Sequence, residues 1–458
     1  MSSLLLTFYG DDFTGSTDSM ETLEWGGIPT VLFLEPPDET LVREHFPDVR
    51  VIGVAGVSRS LSPAQMDDAL PPIFEAVRAL GAPAFHYKVC STFDSSPTLG
   101  SIGRATEIGL HIFGDQLVPL VVGAPFLRRY VAFSNLFARV DDVTYRLDRH
   151  PTMSKHPATP MNEADLRLHL GRQINRQIAA LNLLHLTQPL EALRGSLKAL
   201  REDGAEIVVF DTLDDTHLRT IGNLLDDLRE EAAAKGETLL IVGSSGVEKA
   251  LALHWQDSGV TSLPAPPESP GAVNQLIVIS GSAAPATAAQ IEWAEANGFA
   301  VVRLDTIQLM DSATAESART AAVELALEQI RAGRSIVLYT AYGPEDPHIA
   351  RTREHLAALS LDPASVSGRL GTQLGLILKA LLEQTGLRRA VVCGGDTCGY
   401  AARQLGIYAL SAIYPVAPGA PLCRAHSHDL AFDGLLIALK AGQVGKPDFF
   451  GSILSGIA

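Results

Sequence analysis

A chain of 458 residues is too long for one ordinary hydrophobic core, so two or three domains are expected. Hydrophobic residues make up 46% and charged residues 19%, the balance of a folded globular enzyme rather than a disordered chain. The 52 acidic residues outnumber 36 basic ones and leave a net charge of −16, which excludes a nucleic-acid partner but leaves room for a small anion in a local basic pocket. No apolar run approaches a membrane span, and the start at Met1 lacks both the basic region and the apolar length of a signal peptide. Cys90, Cys393, Cys398 and Cys423 form no CxxC pair, so neither a zinc ribbon nor a disulfide framework is indicated. A cytoplasmic enzyme with no membrane partner is expected.

Residues 4–9 have room only for a short first strand. It runs into Gly10-Asp11-Asp12-Phe13-Thr14-Gly15-Ser16-Thr17-Asp18 and then a helix-compatible stretch over 20–25. Such a strand-loop-helix corner is where open α/β sheets bind ligands. Asp11 and Asp12 repel each other unless a cation or a polyhydroxy ligand engages them. A helix cap alone accounts for one Asp, not for the whole run. The phosphatase pattern Asp-x-Asp-x-Thr is set aside, because Gly10 stands where its nucleophile belongs.

Residues 49–57 read as a buried strand, and Ser62-Pro63 as the N-cap and first position of a helix toward Leu80. Pro71-Pro72 is expected to interrupt or restart that helix. Residues 84–88, 117–123, 206–210 and 238–242 read as further strands, with a helical spacer over 214–235. This rhythm predicts a mainly parallel sheet. Between them, 146–157 is a cation-dense, loop-like stretch, suited either to closing over an anionic substrate or to bridging to another subunit of a homo-oligomer. Gly243-Ser244-Ser245-Gly246 reads as an anion nest or a plain helix cap.

Pro264, Pro266, Pro267 and Pro270 mark 258–271 as a linker between an α/β domain over 1–257 and a second over 272–458. The rhythm then restarts, with strands over 275–280, 300–304, 335–339 and 389–393 and helices over 284–297 and 312–332. Four glycine-bearing turns follow one another here: Ser280-Gly281-Ser282, Gly394-Gly395-Asp396-Thr397, Pro418-Gly419 and Gly442-Gln443-Val444-Gly445. Small residues in such turns let backbone N–H groups approach phosphate oxygens, and a following helix start favours the anion. No GxxxxGK[ST] occurs, so this is not a P-loop protein.

The run Gly10-Asp11-Asp12-Phe13-Thr14-Gly15-Ser16 resembles the N-terminal signature of the four-carbon acid sugar kinase family, Ala-Asp-Asp-Leu-Thr-Gly-Ala. The later turns resemble that family's Ser-Gly-Ser, Gly-Gly-Glu-Thr, Pro-Gly and Gly-Asn-Phe-Gly, in the same order, the last before Asp448-Phe449-Phe450. The resemblance implies an ATP-dependent kinase, assisted by Mg²⁺, that phosphorylates a hydroxyl of a small sugar acid such as threonate, erythronate or 3-oxo-tetronate. It implies two α/β domains with mainly parallel sheets joined by the Pro-rich linker, with the active site in the cleft between them. By the same carry-over, Ser282, Gly394, Gly395, Asp396, Thr397 and Gly445 contact ATP. The sugar acid lies against Asp11, Asp12, Arg59 and the segment Lys88-Val89-Cys90-Ser91-Thr92. Asp12 accepts or orients the proton of the attacking hydroxyl, with Asp11 as the alternative.

The chain departs from the family at three places. Cys90 stands for Asp, Phe93-Asp94-Ser95-Ser96-Pro97 for Leu-Arg-Gly-Asn, and Asp396 for Glu. With the pocket altered, a 3-oxo acid such as 3-oxo-isoapionate fits as well as threonate does. The rival reading is a non-catalytic sugar-acid or nucleotide-binding protein, which would bind both ligands and release no ADP.

Overall fold

The computed structural model describes residues 4–140, 142–156, 158–358 and 363–457; the side chains of 353, 356–358, 363–367 and 396 also lie outside the description. Two compact units meet in sequence within the Pro-rich stretch, Met1–Pro264 and Ala265–Ala458.

In the first unit the strands are β1 (Leu6–Gly10), β2 (Thr30–Phe33), β3 (Val51–Ala55), β4 (Ala84–Lys88) and β5 (Val118–Val121). They continue as β6 (Arg129–Ala132), β7 (Asn135–Val140), β8 (Val143–Arg146), β9 (Ile178–Leu181), β10 (Ile207–Phe210) and β11 (Leu239–Gly243). Eight of them form a parallel sheet in the order β2-β3-β1-β4-β11-β5-β10-β9. Runs such as Ile207-Val208-Val209-Phe210 are apolar at every position because helices cover both faces of such a sheet. One face buries an aromatic cluster in which Phe85 stacks on Phe113 at 4.4 Å and meets Phe74 at a tilt, with the ring centroids 4.9 Å apart.

The expected break at Pro71-Pro72 does not occur. Helix Pro63–Ala79 runs through both prolines, with Ser62 and Gln65 closing a capping box at its start. The carbonyls left without donors belong to Asp67 and Asp68, which are exposed, so water can serve them. Met66, Leu70, Phe74 and Val77 keep one buried stripe across the site of the lost bonds.

A second, antiparallel sheet β6-β7-β8 has no forerunner in the sequence reading. It absorbs the start of the cation-dense stretch, which continues as two short turns of 3₁₀ helix over Leu147–Arg149 and Met153–Lys155; Pro157 lies outside the described residues. The β6–β7 turn is Phe133-Ser134, with both residues at positive φ, 49° and 63°. Tight hairpins favour that twist but normally reach it with Asn-Gly. Here the buried Asp211 carboxylate supports it, accepting from Phe133 N at 2.6 Å, Ser134 N at 2.8 Å and Leu183 N at 2.9 Å.

The second unit holds β12 (Ile277–Ser280), β13 (Ala300–Arg303), β14 (Ile336–Tyr339) and β15 (Arg389–Cys393), then β16 (Ile407–Ala417), β17 (Ala420–Ser427) and β18 (Leu436–Lys440). Strands β13-β14-β12-β15-β18 are parallel, and β17 and β16 follow antiparallel. Pro418-Gly419 is the tip of the β16–β17 hairpin rather than a strand-to-helix turn. Among the described residues no helix is long and apolar enough to cross a membrane.

Glu24, at the end of helix Phe13–Glu24, accepts one backbone bond from Thr30 N at 3.0 Å, and burial pushes its carboxyl up to about 7. Between about pH 4.5 and 7 the folded chain therefore binds more protons than the unfolded one, and stability falls as pH rises. Glu24→Gln keeps the acceptor and removes the charge. Its melting temperature should match the parent's near pH 5 and exceed it at pH 8, by up to about 3 kcal/mol of stability; a difference independent of pH would show that Glu24 is ionised throughout.

Candidate active site

The chain leaves β1 toward β2 on one side of the sheet and leaves β4 toward β5 on the other, while β1 and β4 are neighbours. Their carboxyl ends flank a topological switch point, where the departing helices open a crevice. Asp11 and Asp12 come directly off β1, Lys88 ends β4, and Arg59 follows β3, the other neighbour of β1. Backbone bonds fix their register: Asp11 N donates to Lys88 O at 2.9 Å and Arg59 N to Asp11 O at 3.0 Å.

The Arg59 guanidinium forks onto Asp11, Nε to Oδ2 at 3.1 Å and Nη2 to Oδ1 at 2.7 Å, and Nη2 also reaches Asp12 Oδ1 at 2.8 Å. Asp12 is at the same time the cap of helix Phe13–Glu24, its Oδ1 accepting from Gly15 N at 3.0 Å and its Oδ2 from the Thr14 hydroxyl at 2.9 Å. The segment expected to be a loop is thus the first turn of that helix. Asp11 is sealed, its side chain 3% exposed, whereas Asp12 is 24% exposed. Burial pushes the Asp11 carboxyl up despite the Arg59 guanidinium beside it. Burial opposes ionisation of Asp12 too, but Arg59, Lys88 and its two cap donors hold that carboxyl below the usual range.

Lys88 is buried, and its Nζ makes no hydrogen bond among the described residues. A Cβ added to Gly15 would lie 2.9 Å from that nitrogen and 2.3 Å from Asp12 Oδ1, so only glycine lets the two groups approach. Val89 turns its side chain into the core, and its N–H donates to Gly243 O at 2.7 Å. Ser91 and Cys90 are half-buried. The Cys90 thiol donates to Thr92 Oγ1 at 2.9 Å, and Thr92 donates to Asp94 Oδ1 at 2.6 Å. Burial and then the Asp94 carboxylate push that thiol up, which leaves it a neutral hydrogen-bonding group rather than a thiolate nucleophile.

Sequence reasoning included Thr92 in the Lys88 segment but gave no role to Asp18 or Asp94. Asp18 lies three residues after Gly15 on the same helical face, a spacing that could have found it. Burial pushes its carboxyl up against the opposing pull of Lys88. Nothing in the sequence signals the fully buried pair of His86 Nδ1 and Glu248 Oε1, 2.6 Å apart, on the face of β4 that carries Lys88. His86 Nε2 lies 3.1 Å from Gly243 O, which can only accept. The other ring nitrogen and Glu248 must therefore share a second proton between them.

The second unit repeats the device. The chain leaves β12 toward β13 and β15 toward β16, in opposite directions, from neighbouring strands. Their turns touch: Gly281 N donates to Cys393 O at 3.0 Å and Gly394 N to Lys440 O at 2.9 Å. Gly394 has φ 121°, and a Cβ there would sit 2.9 Å from Thr397 Oγ1. The turns open helices Pro285–Ala296 and Gly395–Gln404 beside a cavity of about 360 Å³ lined by Gly281, Ser282, Gly394, Gly395, Thr397 and Gly442. Bare backbone at two helix starts suits a polyphosphate. Gly445 lines a separate cavity of about 810 Å³ with Val416, Pro418, Trp293 and Phe449. The Asp396 side chain lies outside the described residues. No group of three or more metal-ligating side chains occurs among the described residues, and a Mg²⁺ carried by nucleotide phosphates needs only one or two protein carboxylates.

Residues 6–251 match a family model described as a sugar-binding N-terminal domain, and residues 277–450 one described as a nucleotide-binding C-terminal domain. A 3-oxo-isoapionate kinase of Paraburkholderia graminis is 46% identical over 455 residues, 99% of this chain and 94% of the relative. The chain belongs to the four-carbon acid sugar kinase family. It is an ATP-dependent kinase acting on small sugar acids. A 3-oxo-tetronate kinase of Methylobacterium radiotolerans is 31% identical over the full length of both chains. A crystal structure from Haemophilus influenzae shares the fold of this kinase, with a TM-score of 0.70 at 22% identity, covering 97% of this chain and 98% of the other.

Gly15→Ala tests the corner directly, because the added methyl must displace either the Asp12 carboxylate or the Lys88 ammonium. A shift of about 1 Å in a positioning group can cost about a hundred-fold in rate. The variant should lose about that much in kcat/KM for the sugar acid while KM for ATP stays unchanged; wild-type kinetics would show that the tight approach serves packing alone.

Proposed function

We propose that this kinase transfers the γ-phosphoryl group of ATP to a hydroxyl of an oxidised sugar acid of the 3-oxo-isoapionate type. The observation that carries the choice is the 46% identity to a 3-oxo-isoapionate kinase, against 25–31% to 3-oxo-tetronate kinases of equal coverage. The neutral Cys90 thiol, linked through Thr92 to Asp94 and standing where the family has a carboxylate, supports a pocket of altered preference.

Bound ATP with Mg²⁺ supplies the transferable group and neutralises part of its charge. The protein's share of phosphoryl transfer is positioning and electrostatics. Asp12, exposed enough to be reached and held as an anion, orients the attacking hydroxyl and takes its proton as the bond forms. Asp11, sealed beneath Arg59, keeps the guanidinium in place. Lys88, a cation without a hydrogen bond among the described residues, meets the substrate carboxylate or the incoming phosphoryl group. Ser282, Gly394, Gly395 and Thr397 receive the nucleotide phosphates, and Gly445 a part of the nucleotide further along.

A substrate panel measured by ADP release tests the reading: 3-oxo-isoapionate should give the highest kcat/KM among 3-oxo-isoapionate, 3-oxo-tetronate, threonate and erythronate. A higher value for 3-oxo-tetronate would overturn the substrate assignment and leave the kinase intact. Asp12→Asn tests the role of the carboxylate. It should lower kcat by about a hundred- to ten-thousand-fold with KM for ATP nearly unchanged, and near-normal turnover would reduce Asp12 to a helix cap.

A further inference from the structure

Lys440 closes β18 at the carboxyl edge of the second sheet, in register with Cys393 of β15. Its side chain is fully buried, at 0% exposure. Its Nζ donates to Thr287 Oγ1 at 3.2 Å and lies 5.9 Å from the Phe449 ring; among the described residues no carboxylate lies within ion-pair reach. Burying an ammonium with one neutral partner is costly. The location adds to the cost. Thr287 sits in the first turn of helix Pro285–Ala296, whose N-terminus carries the positive end of the helix dipole. A buried cation has thus been placed against the pole that repels it.

An anion would remove both penalties, and the geometry leads to the place for one. The Thr287 hydroxyl donates to Gly442 O at 2.7 Å, so the lone pair facing Lys440 is free to accept. Thr287 Oγ1 also lies 3.2 Å from Ser282 Oγ, and Ser282 lines the 360 Å³ cavity between the glycine turns. Gly442 completes the wall, since a Cβ there would sit 2.2 Å from Ser282 Oγ. Lys440, Thr287 and Ser282 therefore form a short chain from a buried charge to the cavity surface.

We infer that Lys440 is the buried counter-charge for the nucleotide's phosphates, a positioning residue that holds Thr287 and Ser282 toward them and acts on them through a low-dielectric interior. The inference rests on the reading of that cavity as the phosphate site. Its effect grows with phosphate charge, so ADP depends on it more than AMP does. It also makes the empty protein less stable than it could be, as groups kept for function often do.

Lys440→Met removes the charge and keeps the length. The expected result is a melting temperature without ligand equal to or above the parent's, ADP affinity weakened ten-fold or more by calorimetry, and a much smaller loss for AMP. A folded variant with unchanged ADP affinity would overturn the inference, as would equal losses for ADP and AMP. A variant that fails to fold would overturn it too, because a charge that burdens the empty protein cannot be required by its fold. Wild-type protein that binds no ADP would instead sink the assignment of the cavity, and the inference with it.

Discussion

The substrate corner depends on one guanidinium. Two carboxylates on adjacent residues, one of them sealed from water, are untenable without a cation held close to both. Arg59 meets that need with a bidentate fork and a third bond, a geometry that an ammonium cannot reproduce. The same contact ties the turn after β3 to the end of β1 and to the start of helix Phe13–Glu24. Lys88 adds a second cation on the other side, so a protein of net charge −16 offers an anionic substrate a corner that is locally balanced. Leaving Asp12 half-open while Asp11 is closed turns a repulsive pair into two groups with separate tasks.

Both units arrive at their sites by the same topological route. In each, two neighbouring parallel strands send their chains in opposite directions, and the crevice falls at their carboxyl ends. What differs is the chemistry hung on it. The first unit presents charged side chains, suited to hydroxyls and a carboxylate. The second presents glycine backbone and helix starts, suited to phosphates, with its charge hidden below the surface.

Much of this was legible in the sequence, because strong local signals coincided with the tertiary outcome. The Gly10 to Asp18 run carried a cap, an ion pair and a close approach in nine residues, and apolar runs of four or five marked the parallel strands. Ser62 and Pro63 announced their helix correctly. Pro71-Pro72 misled because a proline's cost depends on whether the orphaned carbonyls face water, which sequence does not show. The β6–β7 hairpin was invisible because its turn is Phe-Ser, made possible by an aspartate 77 and 78 residues away. Lys440 was equally hidden: it ends an apolar strand, where a lysine normally marks the exit to solvent.

The Asp211 clamp has a consequence for how the first unit breathes. One carboxylate holds the Phe133-Ser134 turn and the start of helix Leu183–Leu186 at once, so neither can open by itself without stripping a buried acceptor. The amides of Phe133, Ser134 and Leu183 therefore belong to one cooperative unit, and in hydrogen-exchange measurements they should share a common opening free energy. Burial pushes the Asp211 carboxyl up, so the closed clamp takes up a proton more readily than the opened one, and its opening free energy falls as the pH rises through that range. Protection at these separated positions would then fade in concert with rising pH while the parallel sheet behind them stays closed.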